Sequence, residues 1–270
     1  MMELLLLFLL GILAGIVAGL FGLGGGILFT PILFVVFNDA GIAQPVVLTI
    51  GSSLFCTFIA ALGSSVRQYQ QRNFYWGEGL RVGLLGAVGV YAGKLVITSE
   101  YYSQQEFVIF FSVLLIYVAY MFYRRGARLP KEMLRSSSPL SLRESTVTGG
   151  LGGFVAALAG IGGGGVMVPL MNLWYKKDFV KSVSVSSLAI VLISLSGWGQ
   201  LAFFNGETAT LSSFSAGYVD FGAAFPLAAG GLLGGFGGAL FNLKIKRRYL
   251  QYGFAVLAVA MAVKLLSEVF

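Results

Sequence analysis

The chain has 270 residues, 57% of them hydrophobic and only 11% charged, with a net charge of +7 and no histidine. A water-soluble domain carries about 25% charge, so this chain has too little polar surface to cover a globule in water. The single cysteine, Cys56, excludes an intrachain disulfide and a cysteine-based metal site, and the missing histidine removes the commonest general base and metal ligand.

Apolar segments run at 4–23, 25–37, 45–66, 77–97, 105–123, 146–161, 163–174, 180–203, 218–241 and 250–269. Most match the roughly 30 Å of a bilayer core, and the period-two alternation of a membrane barrel is missing. The fold class is therefore an all-α polytopic membrane protein. Segments 25–37 and 163–174 are too short to span, at about 20 Å each. Each is expected to form, with the segment before it, a Gly-broken helical hairpin opening its half of the chain, and charge counting leaves open whether it crosses or is re-entrant. The N-terminal "MMELLLLFLLGILAG" carries Glu3 and no Lys or Arg at its start, unlike a signal peptide, and is read as a span.

The one long polar stretch, 124–145, divides the chain into a first membrane unit, 1–123, and a second, 146–270. The two units repeat. "FGLGGGILFTP" (21–31) lies over "AGIGGGGVMVP" (159–169), matching Gly22, Gly24, Gly25, Gly26 and Pro31 to Gly160, Gly162, Gly163, Gly164 and Pro169. Ser52-Ser53-Leu54 matches Ser186-Ser187-Leu188, and "GLLGAVG" (83–89) resembles "GLLGGFG" (231–237). Three matches in one order indicate a duplication.

The charges set the sidedness. Basic residues gather at Arg67, Arg72 and Arg81, in the 124–145 linker, at Lys176, Lys177 and Lys181, and at 244–248. Placing these regions in the cytoplasm leaves only Lys94 and Lys264 elsewhere, while the remaining loops carry Asp39, Glu100 and Glu207. Strict alternation then puts both termini outside. Each unit has an odd number of segments, so the repeats are inverted, the architecture common in secondary transporters. Basic residues confined to such short loops give no nucleic-acid surface.

The glycine clusters carry the functional reading. In lipid every backbone N–H must be paired, so a broken helix persists only against protein or a water-filled cavity. Glycine lets a ligand approach the backbone, and the start of the next helix favours an anion. Gly24, Gly25 and Gly26 with Gly162, Gly163 and Gly164 are thus candidate substrate-binding residues on one shared cavity. Ser52, Ser53, Ser186 and Ser187 are candidate hydrogen-bond donors to the same anion. The structural alternatives are close helix packing for the glycines and back-bonding or helix–helix contact for the serines. "GIGGGG" also fits a dinucleotide fingerprint, but no strand precedes it, and no P-loop is present. Cys56 reads as a small apolar residue. Lys94 and Lys264 are placed to snorkel, and no carboxylate falls at mid-bilayer. No cofactor or metal is expected.

The paired motifs "GLGGGILFTP" and "GIGGGGVMVP", with "GYVDFGAAFPLAAGGLLGGFGGAL" (217–240), resemble the TauE/SafE sulfite-exporter family over essentially the whole chain. The resemblance implies an inner-membrane transporter of small sulfur-containing anions, sulfite or organosulfonates. The partners expected are therefore that anion and the bilayer, and a homo-oligomer is compatible with the sequence. An importer or a carrier of another small anion is the alternative within the class. A membrane-embedded enzyme is the alternative outside it, and the lack of histidine and of clustered carboxylates speaks against catalysis.

Overall fold

A computed structural model describes residues 2–21, 25–70, 72, 75–127, 138–203, 212–241 and 247–269. The helices are α1 (Met2–Phe21), α2 (Gly26–Asp39), α3 (Pro45–Gln70), α4 (Trp76–Ile97), α5 (Gln104–Ala127), α6 (Leu142–Ala159), α7 (Gly164–Pro169), α8 (Phe179–Ala202), α9 (Phe221–Phe241) and α10 (Arg247–Ser267). A π-helical turn, Leu170–Trp174, continues α7 beyond Pro169.

Several helix starts are written in the sequence. Ser141 and Glu144 form a reciprocal capping box at α6. The Asp178 carboxylate accepts the Val180 and Lys181 N–H groups at the head of α8. Residues 218–220, read from sequence as the start of a span, instead belong to a small hairpin, β1 (Ser215–Ala216) against β2 (Val219–Asp220). The span begins at Phe221, because the Asp220 carboxylate caps α9 at the Ala223 N–H.

Helix pairing follows glycine. A side chain on Gly11 or Gly15 of α1 would run into the backbone of Leu227 and Gly231 on α9. A side chain on Gly89 of α4 or Gly153 of α6 would likewise meet Gly150 or Gly86. Both pairs are parallel. Helices α3 and α8 run antiparallel, with Leu54 against Gly197 at one end and Ser64 bonded to Ser187 at the other. Helices α5 and α10 are also antiparallel, as the Ser112–Ala262 hydrogen bond and the Phe122–Phe254 contact require.

Among the described residues, α3, α4, α5 and α8 are long and apolar enough to cross a bilayer. The outer surface is apolar as well: Leu84, Val88, Val113 and Val256 are more than half exposed. The interior, by contrast, holds the hydroxyls of Thr30, Thr49, Ser52, Ser53 and Thr57 from α2 and α3, and of Ser182, Ser184, Ser186, Ser187 and Ser194 from α8. A chain with apolar residues outside and hydroxyls within is a multi-pass membrane protein.

Candidate functional site

Both glycine breaks have the same local geometry. Gly25 caps α2 at φ 79° and Gly163 caps α7 at φ 80°, each in the left-handed region. The N–H groups of Leu28 and Phe29 donate to the Gly25 carbonyl at 3.0 and 3.2 Å, and those of Val166 and Met167 to the Gly163 carbonyl at 3.1 and 3.0 Å. Any other residue would pay about 1–2 kcal/mol for that backbone conformation.

In the second unit the chain leaves α6 through Gly160 and turns back at once. Glu144, near the start of α6, pairs with Lys177, just past the π turn, at 3.4 Å. The segment is thus a hairpin with both ends at one end of the molecule and its turn at residues 160–163. The sequence left open whether this segment crosses or returns, because both arrangements give the same charge alternation.

The two breaks meet. A Cβ on Gly26 would lie 2.7 Å from the Ile161 backbone, so α2 begins directly against the second turn. Thr30 and Ser53 bridge them: the two hydroxyls are 2.8 Å apart, and Ser53 donates to the Gly160 carbonyl at 3.0 Å. The Thr30 hydroxyl also lies 3.1 Å from the Gly26 carbonyl, so two hydroxyl protons are shared among three contacts.

Of the site residues expected from sequence, Gly25, Gly26, Ser53, Gly162, Gly163 and Gly164 gather at this junction, and Gly24 lies outside the described residues. Ser52 points to a different partner, accepting the Asp220 N–H at 3.0 Å. Ser187 bonds to Ser64 at 3.0 Å and to the Val183 carbonyl at 2.8 Å. Ser186 is buried without a hydrogen-bond partner. Both serines lie about 10 Å along α8 from Ser194, two helical turns nearer its start. Sequence reading missed Thr30, which forms the bridge with Ser53, and Thr57 and Ser194, which lie against Gly162. Thr30 lies within the quoted motif and Thr57 is one turn beyond Ser53 on the same face, so both were findable. Ser194 carries no such signal.

Two further features flank the junction. On one side a cavity of about 360 Å³ opens among the starts of α3 and α5 and the loop between α4 and α5, with Tyr218 on its wall. Tyr102, on its lining, donates to the Leu158 carbonyl at 2.9 Å, two residues before the Gly160 turn. Burial pushes the Tyr102 hydroxyl well above its usual pKa, so it remains a neutral donor. On the other side Lys181 pairs with Glu78 at 2.7 Å and donates to the Ser138 carbonyl at 2.8 Å, while Glu78 accepts the Leu140 N–H at 2.7 Å. Burial raises the Glu144 carboxyl, but the Ser141 N–H and the Lys177 ammonium outweigh it and hold the group below the usual carboxylate range. Among the described residues no group of three or more Cys, Asp or Glu could hold a metal ion.

The sulfite exporter TauE/SafE family profile matches residues 7–265. The chain is 29% identical to a probable membrane transporter protein of Methanocaldococcus jannaschii, over 91% of this chain and 89% of that one. It is 26% identical to a probable membrane transporter protein of Haemophilus influenzae, over 97% of each chain. It is 25% identical to the probable membrane transporter protein YunE of Bacillus subtilis, over 99% of this chain and 98% of that one. A helical multi-pass chain whose match to the family runs almost from end to end belongs to the TauE/SafE sulfite-exporter family of membrane transporters.

Proposed function

We propose that the protein is a secondary carrier that exports small sulfur-containing anions, sulfite or an organosulfonate, across the cytoplasmic membrane. The anion is held near the junction of the two glycine breaks, by backbone N–H groups and nearby hydroxyls. The observation that carries this reading is the contact itself: one left-handed glycine break from each half of the chain, pressed together at Gly26 and Ile161. Broken helices brought face to face are the usual way a carrier exposes backbone donors at membrane depth.

Helix pairing supports an inverted duplication of units 1–123 and 146–270. Exchanging the fifth-by-fifth equivalents turns the α1–α9 pair into α6–α4 and maps α3–α8 and α5–α10 onto themselves. All of these pairs are present. Export needs no coupling ion on this reading. An inside-negative potential drives an anion outward by about 2.3 kcal/mol per charge per 100 mV, and a divalent anion by twice that.

The test is flux from proteoliposomes loaded with labelled sulfite, under a set potential, with sulfate, thiosulfate, chloride and small sulfonates as competitors. The expected result is potential-dependent sulfite efflux that sulfonate or thiosulfate competes and chloride does not. Efflux of none of these anions above empty vesicles defeats the proposal.

A further inference from the structure

Several buried hydroxyls lack a partner, Thr49, Ser65, Thr148 and Ser186 among them, but two such hydroxyls come together at the junction. Thr57 on α3 and Ser194 on α8 are both 0% exposed, and neither hydroxyl has a hydrogen-bond partner. A hydroxyl on a buried helix ordinarily donates to the carbonyl four residues back, as Ser187 does to Val183 and Ser182 to Asp178. Thr57 and Ser194 do not take that route. A buried polar group left unpaired is costly, and two at one place call for an explanation.

Their position supplies one. The antiparallel register that sets Leu54 against Gly197 and Ser64 against Ser187 brings Thr57 opposite Ser194. Both touch the same point on the turn. A Cβ built on Gly162 would lie 2.6 Å from the Thr57 methyl, 2.8 Å from an Ile190 methyl and 2.9 Å from the Ser194 hydroxyl oxygen. Gly162 also has φ 70°, so only glycine fits there. One hydroxyl comes from each half of the chain, and the 160–163 turn lies against both.

We propose that Thr57 and Ser194 are the specificity-determining donors of the transport site, each giving one hydrogen bond to a small oxyanion once the 160–163 turn draws back from the space that Thr57, Ile190 and Ser194 now close around Gly162. This rests on the anion-transport reading and adds residues to it. Both donors are neutral. Lys177 and Lys181 are engaged at the end of the molecule by Glu144 and Glu78. Selection therefore depends on how many acceptor oxygens an anion can present to fixed donors, rather than on charge pairing. A pyramidal or tetrahedral oxyanion satisfies both hydroxyls at once, and a halide of the same charge does so poorly.

Calorimetric titration of the purified full-length protein with sulfite, thiosulfate, sulfate, methanesulfonate and chloride tests this, together with thermal melting of the ligand-free protein. Thr57→Val and Ser194→Ala should each weaken binding of the preferred oxyanion about tenfold. Thr57→Ser should keep wild-type affinity, and chloride binding should not change. Since the removed hydroxyls have no partner in the ligand-free protein, both variants should melt at or above the wild-type temperature. Wild-type affinity in the double variant overturns this proposal and leaves the carrier reading standing. Loss of binding together with a lowered melting temperature also overturns it, by showing a structural role. A wild-type protein that binds none of the oxyanions removes the anion reading, and this proposal with it.

Discussion

A methyl group at Gly163 has nowhere to go. The residue sits at φ 80°, and its Cβ would collide with the Gly152 carbonyl on α6. Gly163→Ala should therefore lose about 2–4 kcal/mol, from the left-handed backbone and the overpacked contact together. Gly253 on α10 is the control, because nothing lies within 4 Å of its Cβ position. Gly253→Ala should be neutral or gain up to about 1 kcal/mol. Denaturant unfolding in mild detergent measures both; equal stability of the two variants would remove the steric account of the hairpin. This contrast also shows what was legible residue by residue. Glycine and proline clusters constrain the backbone directly, so the two breaks and their left-handed caps could be read from sequence. Hydroxyl partners could not. Ser52 and Ser186 occupy matching places, yet Ser52 meets the Asp220 N–H while Ser186 has no partner, because each partner is supplied by a different neighbouring segment.

Between elements, the largest departure from expectation is at the end of the molecule where α4, α6 and α8 begin. Lys177 and Lys181 read from sequence as basic residues flanking a cytoplasmic loop. In the fold they are buried, because residues 138–141 lie across them. Glu78 and Lys181 then join α4 to α8, and both grip that strap. A long-range closure of this kind leaves no local signature, whereas the helix boundaries beside it, fixed by Ser141 and Asp178 caps, do. Removing one partner of a buried pair leaves an uncompensated charge, at a cost of about 3–5 kcal/mol. Lys181→Met should lose about that much in SDS-induced unfolding. Combining it with Glu78→Gln should recover a large part of the loss. A single variant as stable as wild type would mean that the strap, rather than the ion pair, holds α4 and α8 together.

For the whole molecule, the packing directions bear on membrane sidedness. Strict alternation of the segments gives α1 and α9 one direction and α4 and α6 the other, and it sets α3 against α8 and α5 against α10. The parallel and antiparallel contacts agree with every one of these assignments. Helix directions fix the topology only up to inversion, so the choice of inside rests on the positive loops. Cysteine labelling decides it cleanly, because Cys56, the protein's own cysteine, is buried and should stay unlabelled. Glu100 and Arg143 are exposed and lie at opposite ends of the molecule, beside the cavity and beside the strap. An impermeant maleimide added to intact cells should label Glu100→Cys at once and Arg143→Cys only after permeabilisation. The reverse pattern would turn the molecule over. The cavity bounded by Tyr102 would then open to the cytoplasm, while the inside-negative potential would still drive the anion outward, because a carrier's orientation does not set the direction of net flux.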